Sequence, residues 1–318
     1  MHHCPQCGST LPAEPLLPDP GGRFDGHFAC ASCGLVSLMP VQTPDEIAAL
    51  YTTKGNVELL AAEEARVPIE RRLDRIAALV GPPDGRLLVE IGAGRGDFLA
   101  AAQERGWRVA GIEPASSGVE AARHRFGIDL ERGIFTPDST LPEPADVLCA
   151  WDVLEHCLEP HRILEAMLRA VRPGGLVLLA VPHVEGLPAR LLRSRWRYRM
   201  VPKHVHFFPR RWFDDQAARH GAAVVDVQPF LKAHAAVQAL VPTRAARRVR
   251  RLMKAASHVS PDRSPAARAP SEPSPEPVRL ADMPPARRAV RQLVLRINQR
   301  PVPLAVADLI DVALRREG

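Results

Sequence analysis

The residues with chemistry to offer fall into two groups: a glycine loop flanked by carboxylates, and two Cys-x-x-Cys pairs. Glu90-Ile91-Gly92-Ala93-Gly94-Arg95-Gly96 sets glycines at alternate positions between a short apolar run and a helix start at Asp97. Glycines there let the chain turn sharply and bring its backbone against a ligand, because no Cβ intervenes. The next apolar run ends in Gly111-Ile112-Glu113-Pro114. A carboxylate at that strand tip can accept both ribose hydroxyl hydrogens, in the crevice where open α/β sheets bind ligands. The same layout serves dinucleotides, and three details separate the two. The spacing is G-x-G-x-G, not G-x-G-x-x-G. Glu90 sets an acid beside the loop, which suits a zwitterionic, sulfonium-bearing ligand better than a pyrophosphate. Asp97 opens the following helix, where it would repel a phosphate. The plainer reading is a structural glycine turn with a solvated Glu113.

Cys4-Pro5-Gln6-Cys7 and Cys30-Ala31-Ser32-Cys33 each have knuckle spacing, with Gly8 and Gly34 just after. Four thiolates suit a closed, tetrahedral, structural zinc site. A closed site leaves no position for substrate, so this zinc would hold structure. The unit is too short to bury a core of its own, and the metal would supply its folding energy. His2, His3 and His27 are substitute ligands that nothing requires. The chain starts Met1-His2-His3-Cys4-Pro5, with no apolar run behind a basic start, and its longest apolar stretch, Leu176 to Val181, is far short of a membrane span. A cytoplasmic, reducing location is therefore expected, in which paired cysteines favour metal over disulfide. Cys149 and Cys157 stand alone in apolar context and read as packing residues.

These groups need elements to hold them. With 46% hydrophobic residues in 318, the chain is globular, and its 32 prolines predict firm breaks. Residues 1–40 form the zinc-ribbon unit and 41–85 a helical lead-in. Thr43-Pro44-Asp45-Glu46 starts one helix there, and Pro68 to Val80 forms another with Ile69, Leu73, Ile76, Ala77 and Val80 on one face. From residue 86 strand and helix alternate. Strands are predicted at Leu87–Ile91, Trp107–Glu113, Ile128–Glu131, Ala145–Trp151, Leu176–Val181 and Ala222–Val227. Helices are predicted at Asp97–Arg105, Ser116–Phe126, Pro160–Val171 and Pro209–His220. Such alternation implies right-handed crossovers and a parallel sheet with helices on both faces. The core thus spans 86–230. Residues 231–300 break the pattern as a helical insertion with a Pro- and Ser-rich loop, and 301–318 return as a final antiparallel strand, Leu309–Leu314.

At this point the sequence resembles a known family. Val89 to Gly96 is similar to the first motif of class I S-adenosylmethionine-dependent methyltransferases, and Gly111 to Pro114 to their second. Ala145-Asp146-Val147-Leu148-Cys149-Ala150-Trp151-Asp152-Val153-Leu154-Glu155-His156 resembles the fourth-strand motif, and Arg172-Pro173-Gly174-Gly175 the turn into the fifth strand. His204-Val205-His206-Phe207-Phe208 resembles a segment of the subgroup acting on small molecules, sugars and lipid-linked intermediates, in which zinc ribbons also occur. The resemblance covers about 86–230 and implies a Rossmann-like, seven-stranded, mostly parallel sheet. It implies S-adenosylmethionine as cofactor and direct methyl transfer from its sulfonium. Gly92, Ala93, Gly94 and Gly96 would cradle the methionine part and Glu113 the ribose, with Glu90 beside the loop and Pro114 next to Glu113. Asp152 would lie near the amino-acid end. The acidic residue that often follows the third strand is missing, so Ile134 and Phe135 are left to pack on adenine, with Asp138 as a polar partner.

His156, His204 and His206 are the candidate general bases for a hydroxyl acceptor, since imidazole titrates near neutral pH; loop hydrogen bonding is the alternative for each, and for Glu155. Arg193, Arg195, Arg197 and Arg199 alternate in Arg190 to Lys203 and would project one basic face able to hold an anionic small-molecule acceptor, or a merely solvated loop. The net charge of +6 is concentrated in 231–300, with 15 Lys and Arg against 4 Asp and Glu. Thr243 to His258 is a basic amphipathic helix, suited to an anionic membrane surface or to a lid over the core. A nucleic-acid enzyme using ribbon and insertion is the competing reading. The fourth strand reads Ala150-Trp151-Asp152-Val153 in place of the Asn/Asp-Pro-Pro-aromatic tetrapeptide of base methyltransferases, which counts against it.

Overall fold

A computed structural model describes residues 1–52, 62–196, 198–230, 302–304 and 307–318. The chain opens with three short antiparallel strands, β1 (Leu17–Pro18), β2 (Gly26–Ala29) and β3 (Val36–Met39). Two helices follow, α1 (Pro44–Thr52) and α2 (Ala62–Val80). The α1 start is a capping box: Glu46 N donates to Thr43 Oγ1 at 3.3 Å, and Thr43 N donates to the Glu46 carboxylate at 2.8 Å. α2 begins before Pro68, which sits inside the helix and not in its first turn. Proline costs the helix one hydrogen bond there, but it does not end it.

Strand and helix then alternate: β4 (Leu87–Ile91), α3 (Asp97–Glu104), β5 (Arg108–Glu113), α4 (Ser116–Phe126), β6 (Glu131–Arg132), β7 (Ala145–Trp151), α5 (Pro160–Ala170), β8 (Val171–Pro182), α6 (Leu187–Leu192), β9 (His206–Phe207), α7 (Arg210–Arg219), β10 (Ala222–Phe230) and β11 (Leu309–Arg316). They build a seven-stranded sheet in the order β6-β5-β4-β7-β8-β11-β10. β4 through β8 pair in parallel. β11 is wedged antiparallel between β8 and β10, with Val312 opposite both Leu179 and Val227. The expected late antiparallel strand is therefore present, and the α/β class with it. The chain reverses its direction of travel across the sheet at β4, so the ligand crevice opens beyond the ends of β4 and β7. Several boundaries differ from expectation, two of them around the sheet's centre and edge. The third strand is only Glu131–Arg132, and β8 runs through Arg172-Pro173-Gly174-Gly175, absorbing the turn by a register shift opposite Ala145 and Val147.

Apolar residues alternate between the two faces. Val89, Ile91, Leu148, Val177 and Leu179 pack under Ile163 and Met167 of α5 and Trp212 and Phe213 of α7. Leu88, Cys149, Leu176 and Leu178 pack under Leu73 and Ile76 of α2 and Phe98 and Leu99 of α3. Each such large side chain contributes about 1.5–3 kcal/mol by leaving water. α2 is further tied down by arginines. Arg72 Nε donates to Asp311 Oδ2 at 3.2 Å, Arg71 reaches the same oxygen at 3.4 Å, and Arg75 donates to Asp226 at 2.6 Å.

The ribbon joins the core through β9, which pairs antiparallel with β3, Ser37 opposite His206. Leu38 N also donates to Val205 O at 2.8 Å. Among the described residues of Arg190 to Lys203, the expected extended basic face is not built. That stretch is α6, a 3-10 turn at Arg193–Arg195, and buried Trp196 and Tyr198 packed with Phe207. Arg199 is spent on Asp19 at 3.1 Å, where Asp19 is 7% exposed. The insertion at 231–300, including the basic helix 243–258, lies outside the described residues. Among those described, no helix is long and apolar enough to cross a membrane.

Candidate active site and metal centre

The glycine loop leaves β4 in left-handed backbone, with φ of +71° at Gly92, +55° at Gly94 and +77° at Gly96. Gly92 N and Ala93 N both donate to Ile112 O, at 2.8 and 3.1 Å, which ties the loop to β5. A Cβ on Gly92 would come within 2.8 Å of Val153 Cγ2, whereas one on Gly94 would meet nothing within 4 Å. The loop is thus pressed against the segment after β7 on one side and open on the other.

Glu113 closes this loop from below. Its Oε2 accepts from Gly94 N and its Oε1 from Ala115 N, both at 2.8 Å. Each oxygen keeps a lone pair for a ribose hydroxyl. Burial raises the Glu113 carboxyl above its usual range, and the two amides oppose that. Pro114 beside it is half-buried. Glu90 projects from β4 and is 4% exposed, with Oε2 buried and without a hydrogen-bond partner. Burial lifts its carboxyl well above normal, Arg72 opposing and Glu113 and Asp97 adding to the shift. A buried carboxylate oxygen with nothing to accept from calls for a donor or a cation. The ammonium of a methionine moiety supplies both, so these residues fit the cofactor the resemblance implies.

Phe135 lies in the core cluster with Ile112 and Leu148, while Ile134 stands 58% exposed, so only Ile134 offers a free apolar surface. Asp138 is exposed. Asp152 is exposed at the tip of β7 with a φ of +55°, and its N donates to Ala180 O at 3.0 Å. A non-glycine residue held left-handed is a strained turn, and such turns gather at functional sites. Two contributors were missed from sequence. Arg72 stacks over Trp151 at 4.0 Å and lies within electrostatic range of both Glu90 and Asp152. Gly118, in the first turn of α4, would drive a Cβ to 2.5 Å from Gly94 O. Arg71, Arg72 and Arg75, clustered beside the apolar stripe of α2, were the available signal for the first; the second had none.

Beyond Asp152 the chain makes a 3-10 turn at Leu154–His156. His156 and His204 meet edge to face, ring centroids 4.8 Å apart. His156 Nδ1 lies 2.8 Å from Lys203 O, and burial depresses its basicity. Burial also holds His204 well below normal, helped by His156 and His27, and its Nδ1 is buried without a partner. Glu155 is fully buried, and its backbone O accepts from Val205 N at 2.8 Å. Of the three candidate bases, His206 stands apart from the other two. It is fully buried, with Nδ1 3.0 Å from Ser37 Oγ and Nε2 3.2 Å from Leu158 O, and burial pushes it down to about 4. Both ring nitrogens are committed, so none is left for a substrate proton. The structure brings His156, His204 and Glu155 together instead, and two of them directly follow Val153 and Leu154 in the chain.

The four ribbon cysteines also converge. Cys4 Sγ is 3.6 Å from Cys33 Sγ, and Cys7 Sγ is 3.5 Å from Cys30 Sγ. Tetrahedral zinc with ordinary Zn–S bonds sets sulfur atoms about 3.8 Å apart. The two turns match: Gly8 N donates to Cys4 O and Gly34 N to Cys30 O, each at 2.9 Å, with φ of +74° and +80°. The neighbouring Cys33 thiol and the knuckle N–H groups hold Cys4 down to about 5. The donor set fits zinc, and His2, His3 and His27 are not part of it: His27 Nε2, for one, lies 2.9 Å from His204 O.

A family model described as a methyltransferase domain matches residues 61–227. A Mycobacterium leprae protein named as an uncharacterized methyltransferase is 29% identical over 198 residues, 54% of this chain and 73% of that protein. A Mycobacterium tuberculosis protein of the same description is 33% identical over 138 residues, 39% of this chain and 54% of that protein. Among solved structures, an S-adenosylmethionine-dependent methyltransferase from Mesorhizobium loti superposes with a TM-score of 0.46 at 16% identity, over 76% of this chain and 96% of that one. Magnesium protoporphyrin IX methyltransferase from Synechocystis, with bound SAH, gives 0.43 at 14% identity, over 52% and 79%.

Proposed function

We propose that this chain, which belongs to the methyltransferase-domain family and is an S-adenosylmethionine-dependent methyltransferase, methylates an oxygen of a small-molecule, sugar or lipid-linked acceptor. The observation that carries the reading is the buried, unpartnered Glu90 Oε2 on the strand that leads into the loop at Gly94, which faces open space. Bound there, the cofactor supplies a methyl group on a positive sulfur that is already a good leaving group. Glu90 would take the ammonium and Glu113 the ribose hydroxyls, with the open face of Gly94 on the approach. Asp152 sits at the amino-acid end, and Phe135 supports the adenine side from the core. The remaining work is to place a nucleophile in line and accept its proton. His156 and His204 stand next to the loop by way of Val153, and an acceptor hydroxyl meeting them has an imidazole to receive its proton. The Cys4, Cys7, Cys30 and Cys33 cluster holds structural zinc in this reading.

Titration calorimetry with S-adenosylmethionine tests the cofactor half: the wild type binds, and Glu113→Ala loses about tenfold or more in affinity, since the Gly94 and Ala115 amides and both ribose hydroxyls lose their acceptor. Wild-type affinity in Glu113→Ala would overturn it. Transfer of labelled methyl into a panel of hydroxylated acceptors tests the other half. The product should be an ether, and an N- or C-methylated product would exclude the oxygen reading.

A further inference from the structure

We propose that Glu155, His156 and His204 form a second metal site, apart from the four-cysteine cluster, that takes a borderline divalent transition-metal ion such as zinc through two imidazoles and one carboxylate. A ring nitrogen of each histidine and a carboxylate oxygen of Glu155 lie within 4.8 Å of one another. Ligands on zinc stand about 3.4 Å apart, so adjustments of about an ångström in the side chains would close the site. Two histidines and a carboxylate, with further coordination positions left open, are a recurrent arrangement for such ions.

Three observations support a ligand role over plain packing. Metal-bound histidines almost always spend their second nitrogen on a carbonyl or carboxylate, which fixes ring and tautomer. Here His156 Nδ1 faces Lys203 O at 2.8 Å, and His204 is hydrogen-bonded to the backbone of Tyr198. The other nitrogen of His204, Nδ1, is buried with no partner in a residue only 3% exposed. The backbone that carries the ligands is also fixed at several points. Val205 N donates to Glu155 O at 2.8 Å, and His27 Nε2 meets His204 O at 2.9 Å. A positioned backbone is what a three-ligand site needs to keep its open positions open.

The ion would meet the acceptor hydroxyl at the His156–His204 pair. In the loaded form the two imidazoles would serve as ligands in place of proton acceptors, and the ion would lower the pKa of the bound hydroxyl so that its proton passes to water and the resulting alkoxide takes the methyl group. That consequence rests on the proposed oxygen transfer; the existence of the site does not, and ion counting keeps the two apart. Full-length protein is stripped of metal, dialysed against zinc, and counted by elemental analysis. Two ions per chain are expected. His204→Ala should keep one, and Glu155→Gln should bind the second about tenfold more weakly or worse. Both variants are checked for wild-type S-adenosylmethionine binding, so that a folding defect is recognised, and Glu155→Gln, nearly isosteric, decides if His204→Ala fails to fold. With cobalt(II), the second equivalent should add d–d bands without further thiolate charge transfer. One zinc per chain in the wild type, or two that persist in both variants, would overturn the proposal.

Discussion

Gly118→Ala should weaken cofactor binding although it lies on a helix and touches no ligand. Alanine in a helix ordinarily gains about 1 kcal/mol over glycine. At this position the new Cβ would stand 2.5 Å from Gly94 O and 2.9 Å from Glu113 Cγ, against an ordinary contact of 3.4 Å. The obstructing atom is backbone, so the first turn of α4 and the glycine loop must separate by about 0.9 Å. Overpacking of this kind costs about 1–3 kcal/mol, which offsets or exceeds the helical gain. The larger effect falls on the site. Gly94 N and Ala115 N both donate to Glu113, and the displacement opens that cradle. Misplacing binding groups by about 1 Å costs on the order of 100-fold where alignment matters. We expect S-adenosylmethionine affinity to fall about 10–100-fold, or about 1.4–2.7 kcal/mol, with a melting temperature equal to or below wild type. Calorimetry and thermal unfolding read the two effects. Gly133→Ala is the control, because its Cβ would meet nothing closer than 3.8 Å. A Gly118→Ala protein that melts higher and binds the cofactor normally would refute the close approach of α4 to the loop.

Glu90 should couple cofactor binding to a proton. Its raised pKa means that part of the free protein carries the carboxyl form, and an arriving ammonium ionises it, so binding releases protons and strengthens as pH rises through that raised value. Calorimetry in buffers of different ionisation enthalpy should show this release in the wild type and its loss in Glu90→Gln; equal release in both would exclude Glu90. Because a raised carboxyl destabilises the fold as pH climbs, Glu90→Gln without cofactor should also gain melting temperature relative to wild type toward alkaline pH. Arg72→Ala should destabilise by about 2–4 kcal/mol, toward the lower end for a broken buried pair because Arg71 still reaches Asp311, and an unchanged denaturant midpoint would rule out the tie between α2 and β11. His206→Phe should lower stability and leave cofactor affinity intact; selective loss of methyl transfer in a stable variant would restore His206 to the catalytic candidates.

What the sequence made legible was local. Alternating apolar runs at Leu87–Ile91 and Ala145–Trp151 specify buried strands whatever surrounds them, and the glycine spacing sets the loop within seven residues. The ribbon cysteines were equally plain, because knuckle geometry is encoded inside each four-residue unit. The acceptor side was not, and the reason is separation along the chain. His206 carries the same imidazole as His204, and its two ring nitrogens are taken by the Ser37 hydroxyl, 169 residues earlier, and the Leu158 carbonyl, 48 residues earlier. The stretch Arg193-Ser194-Arg195-Trp196-Arg197-Tyr198-Arg199 misleads for a different reason. Its arginines catch attention, yet Trp196 and Tyr198 take the buried positions with Phe207 of β9, and Arg199 is held by Asp19. The same segment shows why the ribbon belongs to the enzyme and is not a separate bead. Its strand β3 is the partner of β9, Gln6 inside the first knuckle accepts from Trp212 Nε1 at 2.8 Å, and His27 holds the His204 carbonyl. Zinc held by the four cysteines, as proposed, would therefore also fix the backbone that carries His204, so its removal should disturb the His156–His204 pair before it reaches the glycine loop.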